Sequence, residues 1–466
     1  MSFTFILDIG KTNIKGLVLD AGGVTCWSRS RDNTVLAAGL YPHFDVESIW
    51  EWLLETLAEA AVDHTIASIN VSTHGACAVL LDEHGTLALP VMDYESTLPE
   101  ACSASYNAAR PAFTDSLSPS LPAGLNLGRQ LWWQREHFPG EFARVTTLLC
   151  YPQYWVWRLC GRAVSECTSL GCHTDLWLPR EGRYSALVDA LDLRDSLPPL
   201  TRAYEPAGVI SPEVATATGV VPTCRVFAGV HDSNASFARY LAASASLGEA
   251  FTVVSTGTWF VSMAREGDYE ALTEERDTLA NVDVFGQPLA CARFMGGREF
   301  EAICTRVDAG HETEVSIEAL GAIIESAVYA LPAFAAAGPF NGRVGQFSAS
   351  VSNGAALATL YLALMVDYEL DLLGARGAVI FGSLGQRNPW LCALVAALRP
   401  QQRVLISGDS ASTARGAWCL TRWGEPLPPD MTQFTAVEPI GLAGLGGYRD
   451  QWRAQVGMEP TAYPVT

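Results

Sequence analysis

Apolar residues near the start of the chain form two short runs separated by a polar turn. The runs at 3–8 and 14–20 have the length and composition of strands, and the turn between them contains Gly, Lys, Thr and Asn. Residues 21–23 form a second turn before a third predicted strand. An amphipathic helix is predicted at 46–63 and a buried strand at 67–73. The first part of the chain thus alternates sheet and helix, which indicates an α/β fold.

The strand–turn–strand pattern recurs in the middle of the chain. Residues 249–265 consist of an apolar strand, a Ser-Thr-Gly-Thr turn and another apolar strand. Two such hairpins predict a duplicated architecture with a cleft between the halves. A chain of 466 residues is also too long for one core. We therefore expect two domains, at 1–243 and 244–466.

Between the two hairpins the sequence predicts a loop-rich segment and two aromatic helices. Residues 95–125 contain several Pro and Ser residues and favour a lid or insertion over a core. Helical patterns at 129–138 and 150–160 carry several Trp residues. We expect these rings to lie in the core, and stacking against a sugar is the alternative.

The charge of the chain limits the classes of partner. There are 50 acidic against 30 basic residues, a formal net charge of −20, without a cluster of Lys and Arg. Nucleic acid and anionic membrane are therefore not expected as partners. The apolar stretches are too short to span a bilayer, and no signal-peptide pattern is present at the N-terminus. We expect a cytoplasmic protein.

The 12 cysteines are scattered along the chain without a regular disulfide spacing. Cys160, Cys167 and Cys172 are the closest group, and His173 follows them. A zinc site is one interpretation of these four residues. Buried thiols in a reducing compartment are the favoured interpretation, because free Cys is commonly buried.

The tip of the first predicted hairpin carries residue types that bind phosphate and metal. The backbone at Gly10 and the hydroxyl of Thr12 can face phosphate oxygens, and Lys11 or Lys15 can add positive charge. Asp8 stands at the end of the strand, where a carboxylate can hold Mg²⁺ through water. When this hairpin is considered alone, the alternative interpretation is an ordinary turn that binds nothing.

The second predicted hairpin offers phosphate ligands without an acid: Ser255, Thr256, Gly257 and Thr258. Before it, Asp232 follows a predicted strand and opens a helix. Its carboxylate can accept the proton of a substrate hydroxyl that attacks a γ-phosphoryl group. A helix N-cap is the alternative for an Asp in this position.

A glycine-rich loop follows the predicted strand that ends near residue 381. The predicted order over 379–407 is strand, loop, helix and strand. A loop of this type lets a flat base lie against the backbone. Asn388 would lie near such a base.

In their order and spacing these motifs resemble the FGGY carbohydrate kinases, within the actin, Hsp70 and sugar-kinase superfamily. The resemblance covers nearly the whole chain. The matching stretches are LDIGKTNIK at 7–15, VSTHGACAVLLDEHGTLALPVMDY at 71–94, LGRQLWWQREHFP at 127–139, GVHDSNASF at 229–237, STGTW at 255–259, FGSLGQRNPWLCALVAAL at 381–398 and SASTARGAW at 410–418.

The resemblance implies two ribonuclease H-like domains that bind ATP and Mg²⁺, with a small sugar as the phosphoryl acceptor. The N-terminal domain would form the sugar and metal side, and the C-terminal domain the nucleotide side. Asp8 and Asp232 match the metal site, and Asp232 also matches the catalytic base. His74, Gly75 and His231 fall in segments that the family places beside the sugar. The family's adenosine loop is matched by Gly382, Ser383, Gly385 and Asn388. A homodimer is one expected assembly.

The sequence departs from the family pattern at the predicted sugar site. Many members have a Trp-x-Asp-x-Arg segment, whereas this chain has MDYES at 92–96, without the Arg. Asp93, Tyr94 and Glu95 are its candidate sugar ligands. This segment and the DIGKTN opening favour L-rhamnulose or L-fuculose, with xylulose and ribulose as further candidate ketoses.

Two other functions share these motifs. One is a catalytically silent sensor of sugar or nucleotide, against which Asp8 and Asp232 argue, since a binding module has little use for either acid. The other is an ATPase or phosphatase of the same superfamily that uses water as the acceptor. Measuring ATP consumption with and without sugar distinguishes it from a kinase.

Overall fold

The computed structural model describes residues 2–308, 314–382, 388–408 and 412–457. The chain divides into two compact units. The first unit consists of residues 1–243, 280–288 and 411–431, and the second of residues 244–279, 289–410 and 432–466.

The strands are β1 Phe3–Ile9, β2 Asn13–Leu19, β3 Thr25–Asp32, β4 Val35–Leu36, β5 His43–Phe44, β6 Ile66–Thr73, β7 Ala78–Leu81, β8 Leu87–Leu89, β9 Thr147–Cys150, β10 Trp177–Leu178, β11 Arg183–Tyr184, β12 Pro206–Val209, β13 Arg225–Phe227, β14 Val230–His231, β15 Phe251–Ser255, β16 Phe260–Arg265, β17 Leu279–Val282, β18 Pro288–Phe294, β19 Ala330–Leu331, β20 Gln346–Phe347, β21 Ala378–Phe381, β22 Val404–Ser407 and β23 Phe434–Ala436.

The α-helices are α1 Val46–Asp63, α2 Ser103–Ala109, α3 Phe113–Ser116, α4 Leu127–His137, α5 Pro139–Phe142, α6 Tyr151–Cys160, α7 Cys167–Leu170, α8 Ala186–Ala190, α9 Pro212–Thr218, α10 Asp232–Ala242, α11 Ser244–Leu247, α12 Gly296–Asp308, α13 Ile317–Glu325, α14 Gly354–Leu372, α15 Pro389–Leu398, α16 Ser412–Thr421, α17 Pro429–Thr432 and α18 Leu445–Val456. Three short 3₁₀ helices span Leu98–Cys102, Arg194–Ser196 and Glu274–Arg276.

The main sheet of the first unit is built around the parallel pair β1 and β6. Its strand order is β12-β13-β6-β1-β2-β3, and β14 also pairs with β6. β1 and β2 are antiparallel, while β13 and β14 run parallel to β6. The sheet therefore places the carboxyl ends of β1, β6 and β14 side by side.

The main sheet of the second unit repeats this arrangement. It contains, in order, β18-β16-β15-β21-β22-β23. β15 and β16 are antiparallel, and β15 runs parallel to β21. The repeated hairpin predicted from the sequence is thus confirmed: β1 and β2 form the first copy, and β15 and β16 the second.

Helices with contrasting patterns cover these sheets. α1 coincides with the predicted helix and buries an apolar stripe that includes Ile49, Leu53 and Leu57 in the core of the first unit. α14 is buried on every side because it runs through the core of the second unit, and it begins where Asn353 Oδ1 accepts the Ala356 N–H at 2.8 Å. Because both helices pack into the cores, they hold in place the sheets whose strand ends carry the candidate site.

The segment between the hairpins is more regular than its sequence suggests. Residues 95–125, predicted as loop-rich, include one 3₁₀ helix and the short helices α2 and α3. The aromatic helices are α4 and α6, and Trp133 and Trp155 lie in the core as expected. Within the ranges that the structure describes, none of the helices combines the length and the apolar character needed to cross a membrane.

Candidate active site

The carboxyl ends of two strands of the first unit, β1 and β14, carry the acids predicted from the sequence. β6 lies between β1 and β14, so that Ser72 pairs with Asp8 on one side and with Val230 on the other. Asp8 is near the carboxyl end of β1, and Asp232 directly follows the end of β14. The two carboxylates are close enough for the charge of Asp232 to act on Asp8. Ligands commonly bind at such strand ends in α/β sheets.

The surroundings of Asp8 favour a cation beside it. Burial and the neighbouring Asp232 carboxylate raise the pKa of Asp8 to about 6, although Lys15 on β2 acts in the opposite direction. A bound cation would relieve the repulsion between the two carboxylates. In the described ranges no three His, Cys, Asp or Glu side chains gather into a complete metal cage. Two carboxylates fit Mg²⁺, which is usually held by one or two acids together with water and substrate phosphates.

The first turn, residues 10–13, joins β1 to β2. It is closed by the Gly10 N–H, which donates to Asn13 O at 2.9 Å. Asn33 supports the turn, since its backbone N–H donates to Thr12 O and its side-chain Nδ2 to Gly10 O, both at 2.9 Å. Three carbonyls of the turn, those of Gly10, Thr12 and Asn13, are therefore occupied, and so is the Gly10 N–H. The other N–H groups of the turn and the exposed hydroxyl of Thr12 can then meet an anion.

Lys11 is directed toward the predicted sugar residues. The sequence predicts it beside phosphate, but its ammonium contacts Asp93 Oδ1 and lies 3.3 Å from Glu95 Oε2. Its Nζ is also 5.1 Å from the ring centre of Phe44 and 4.9 Å from that of Tyr94. Lys11 therefore joins the first turn to the MDYES segment.

Asp232 is the first residue of α10, and the preceding His231 is the N-cap. Asp232 is therefore not the N-cap, which was the alternative interpretation of its position. Its Oδ1 accepts the Ser233 N–H at 2.5 Å and lies 3.2 Å from His231 Nε2. Its Oδ2 has no hydrogen-bond partner among the described residues, and the side chain is 33% exposed. This oxygen is available to accept a proton from a bound hydroxyl.

His231 is buried beside this carboxylate in a hydrogen-bonded network. Its Nδ1 lies 2.8 Å from Asn234 Oδ1, and its Nε2 lies 3.3 Å from Cys172 Sγ. The Asn234 amide donates to Val282 O, which turns its oxygen toward the ring, so Nδ1 carries a proton. Burial alone would lower the pKa of His231, but Cys172 and Asp232 raise it to about 10. The ring is thus held as a cation between a sulfur and a carboxylate.

Cys172, one of the four residues considered for zinc, belongs to this network. Burial alone would raise the pKa of its thiol, but His173 and His231 lower it to about 6. Cys167 instead lies 3.4 Å from Glu166 Oε1. All 12 cysteines lie among the described residues, and none of them forms a disulfide. Cys172 therefore supplies a negative charge that steadies the His231 cation.

His74 directly follows β6 and offers an unpaired acceptor. Its ring centre lies 5.2 Å from each of the ring centres of Phe44, Tyr94 and Tyr151. Burial lowers the pKa of His74, so the ring is neutral, with Nδ1–H donating to Gly75 O at 3.0 Å. Its Nε2 is buried and has no partner among the described residues. This nitrogen can accept a hydrogen bond from a ligand hydroxyl.

Gly75 permits a close approach that brings three predicted sugar residues together. A Cβ on Gly75 would lie 2.7 Å from Cys172 Sγ and 3.1 Å from His231 Nε2. A larger residue would push the backbone away from this pair. The absence of a side chain therefore places the His74–Gly75 segment directly against His231.

The second turn, residues 256–259, joins β15 to β16 in the second unit. Thr256 Oγ1 is buried without a partner among the described residues, and Thr258 is exposed. The Gly297 N–H donates to Gly257 O at 3.1 Å, which places the N-terminus of the 13-residue helix α12 against the turn. Helix N-termini attract anions. The turn combines hydroxyls with a helix N-terminus, and this combination suits phosphate.

Two of the four predicted adenosine residues, Gly382 and Asn388, are described by the structure, and both lie in the second unit. Gly382 directly follows β21. Asn388 is the N-cap of α15, where its Oδ1 accepts the Leu391 N–H at 3.1 Å. The oxygen of its side chain is therefore already engaged. Ser383 and Gly385 lie outside the described residues.

Sequence reasoning missed the residues that support the site from other elements. Asn33 and Phe44 lie on or beside short strands and belong to no recognisable motif. Tyr151, with a buried hydroxyl that lacks a partner among the described residues, lies in the aromatic pattern at 150–160. That pattern was the only available signal for it, and it also fitted a core position.

Comparison with known proteins points to one family. Residues 3–238 match the N-terminal domain of the FGGY family of carbohydrate kinases, and residues 248–429 match the C-terminal domain of carbohydrate kinase FGGY. The structure of a carbohydrate kinase from Novosphingobium aromaticivorans is 35% identical, with a TM-score of 0.87 over 97% of this chain and 100% of that chain. A ligand-bound xylulose kinase from Lactobacillus acidophilus, 14% identical, has a TM-score of 0.79 over 97% of both chains. These structures confirm the predicted two-domain α/β fold of the sugar kinases.

Among curated relatives, the "Probable L-xylulose kinase" of Pasteurella multocida (strain Pm70) is 26% identical over 248 residues. The match covers 50% of this chain and 50% of the relative, so the chain matches about half the length of that protein. The two family matches together extend over most of the sequence. The chain therefore belongs to the FGGY family of carbohydrate kinases.

Proposed function

We propose that the protein transfers the γ-phosphoryl group of ATP to a hydroxyl of a small ketose. The observation that carries this proposal is the placement of Asp8 and Asp232 at the ends of β1 and β14, beside the unpaired Nε2 of His74. An acid for a metal, a base with an unengaged oxygen and an acceptor for a hydroxyl are the groups that this reaction requires. Membership of the family supports the same reaction.

In the proposed reaction Asp232 Oδ2 accepts the proton of the sugar hydroxyl that attacks the phosphoryl group. His231, which also contacts Cys172, holds the carboxylate through its other oxygen. Asp8 and Asp232 would hold Mg²⁺, which neutralises phosphate charge when bound. The first unit would thus bind the sugar and the metal.

The second unit would bind the nucleotide. Thr256 and Thr258 supply hydroxyls at the second turn, and the N-terminus of α12 adds positive potential. Gly382 would lie along the adenosine. In the first turn, the Thr12 hydroxyl would donate to phosphate, Gly10 would leave room for it by having no side chain, and Lys15 would be the nearby cation.

A ketopentose of the xylulose or ribulose type is the proposed acceptor. The names of the curated relatives, which include xylulose and L-xylulose kinases, support this class. The local charge supports a neutral sugar, since five anionic groups outnumber three cations. The anionic groups are those of Asp8, Asp93, Glu95, Cys172 and Asp232, and the cations are those of Lys11, Lys15 and His231. A sugar acid would be repelled by this balance. The 6-deoxyketoses L-rhamnulose and L-fuculose are the second candidates.

The proposal is tested by coupled ADP release from Mg-ATP with a panel of sugars. The panel contains D- and L-xylulose, D- and L-ribulose, L-rhamnulose, L-fuculose, glycerol and gluconate. We expect at least one neutral ketose to raise ADP release at least tenfold above the rate without sugar, and gluconate to leave it unchanged. ADP release that is equally fast without sugar would identify an ATPase instead. A panel without any active sugar would contradict the proposed ketose kinase.

A further inference from the structure

The chain places both of its lysines in the first hairpin, as Lys11 and Lys15, and uses arginine for every other basic side chain apart from histidine. The two have different surroundings. Lys15 is exposed, whereas the Lys11 side chain is only 20% exposed and contacts two carboxylates. Lys11 therefore makes defined contacts with neighbouring side chains, and these contacts indicate its role.

Asp93 is the main partner of Lys11. Its Oδ1 contacts the Lys11 ammonium and accepts the Glu95 N–H at 3.2 Å. Its backbone N–H donates to Pro42 O at 2.9 Å, which fixes the main chain at this point. Its Oδ2 has no hydrogen-bond partner among the described residues, although the side chain is 10% exposed. One carboxylate oxygen is thus clamped, and the other is available to a ligand.

Two aromatic rings fix the position of the Lys11 ammonium. Its Nζ lies about equally far from the ring centres of Phe44 and Tyr94, at 5.1 Å and 4.9 Å. The same two rings pack against His74, whose Nε2 is unpaired. Lys11 and His74 therefore share one wall of the first unit. A cation held over aromatic faces has little freedom to swing toward phosphate.

We propose that Lys11 is a positioning residue that determines sugar specificity by orienting Asp93, and that it does not bind phosphate. The inference rests on the proposed kinase function. Lys11 holds Asp93 Oδ1, so that Oδ2 accepts a hydroxyl of the bound sugar next to His74. The compact ammonium suits the space between two rings, whereas the wider guanidinium fork of Arg would not take the same place. The first turn thereby positions the side chains that bind the sugar, and it also faces the phosphate.

Kinetics of single and double variants test this role with the best sugar of the panel. For Lys11→Met we expect the KM for sugar to rise at least tenfold and the KM for ATP to change less than twofold. Asp93→Asn should give the same pattern. The double variant should be no more than twofold worse than the poorer single variant, because the two residues act as one unit. Lys11→Arg should restore the KM for sugar only in small part.

Different results would overturn the proposal. A phosphate ligand would raise the KM for ATP or lower kcat while leaving the KM for sugar unchanged. Independent contributions of Lys11 and Asp93 would multiply in the double variant. Failure of the wild type with every sugar would contradict the proposed function itself. Suppose instead that the wild type turns over a sugar normally, and that Lys11→Met raises the KM for ATP or lowers kcat without changing the KM for sugar. That result would contradict only the proposed role of Lys11.

A second measurement does not depend on the stability of the Lys11 variants. Lysine labelled with ¹³C at Cε gives only two side-chain signals in this chain, and a Lys15→Arg protein identifies the Lys11 signal. We expect the Lys11 signal to shift when sugar is added without nucleotide, and to remain in place with a non-hydrolysable ATP analogue alone. A shift with the analogue and none with sugar would overturn the proposal.

Discussion

At the residue scale, Asp232 is expected to carry the proton transfer. Asp232→Asn keeps the shape of the side chain but removes the base, so kcat should fall about 10²- to 10⁴-fold. The affinity for ATP should stay within about twofold, because the proposed nucleotide residues of the second unit are unchanged. Coupled ADP release measures the rate, and calorimetric titration measures ATP binding. Asp63→Asn, an exposed acid at the end of α1, is the matched control. A variant at position 232 with near-normal kcat would remove this residue from the base role.

Glu299 provides a pH-dependent prediction within the second unit. It is 1% exposed and accepts a hydrogen bond from the Tyr361 hydroxyl. Burial raises the pKa of Glu299 to about 7, against an ordinary value of 4.5. The folded state therefore favours the protonated acid, and this contribution is full below pH 4.5 and is lost as the pH rises through 7. A difference of this size corresponds to about 3 kcal/mol.

Glu299→Gln removes this titration while keeping a neutral side chain of the same size. We expect the melting temperature of the wild type to fall more between pH 5 and pH 8 than that of the variant. Glu301→Gln, which changes an exposed acid on the same helix, should behave like the wild type. An equal fall in the melting temperatures of wild type and Glu299→Gln would show that Glu299 is already ionised in the folded protein at pH 5.

Residue types at strand ends were predictable from the sequence, but their partners were not. Asp8 and Asp232 each follow a run of apolar residues, and this local pattern identifies them. The contact of Lys11 with Asp93 joins positions 82 apart, and that of Cys172 with His231 joins positions 59 apart. Such pairs depend on how β5, β6 and β14 are brought together, which no local pattern encodes. This is why the contact of Lys11 with Asp93 was not predicted from the sequence.

At the scale of elements, the packing of α16 against α10 depends on one glycine. A Cβ on Gly416 would lie 1.7 Å from the backbone oxygen of Ala235, and neither backbone can move aside locally. Gly416→Ala should therefore destabilise the protein by about 3 kcal/mol or more. It should also lower kcat, because α10 begins at Asp232. Thermal unfolding and coupled ADP release measure the two effects.

Gly447→Ala is the matched control for Gly416→Ala. Gly447 is also in a helix, α18, but a Cβ there meets no atom within 4 Å. Because Ala has the higher helix propensity, this variant should be as stable as the wild type or more stable by up to about 1 kcal/mol. Equal destabilisation by the two substitutions would mean that helix contact at Gly416 is not the cause.

Elements with a clear period were predictable, whereas those set by distant contacts were not. The helix α1 and the two hairpins could be predicted because each element either buries one face or is buried on all sides in a core, and both cases give a regular apolar pattern in the sequence. The short helices within 95–125 had no such period, since residues such as Tyr106 are buried by contacts with Arg129 and Asp175. The strand order around β6 likewise follows from tertiary packing and not from the sequence of β6 itself.

At the scale of the whole molecule, the first unit is completed by segments that are distant in sequence. Residues 411–431 contribute α16, which packs on α10 and the main sheet. Asn70 Nδ2 donates to Ala417 O at 2.9 Å, and Trp418, 2% exposed, donates from Nε1 to Asp20 O at 3.1 Å. The short segment 280–288 adds Val282, which is fully buried. A cut after residue 243 would remove all of these contacts.

We therefore expect a chain of residues 1–243 not to fold cooperatively by itself. Without α16, the Asn70 amide and the apolar surface that faces Trp418 would be exposed to water, and a helix–sheet layer would be missing. Joining residues 280–288 and 411–431 to it through flexible linkers should restore a cooperative thermal transition and dispersed amide NMR signals. The control is the chain of residues 1–243 joined to a flexible linker of the same total length that lacks both segments. If residues 1–243 alone show a cooperative transition and native-like dispersion, the distant segments are additions to a core that already folds without them.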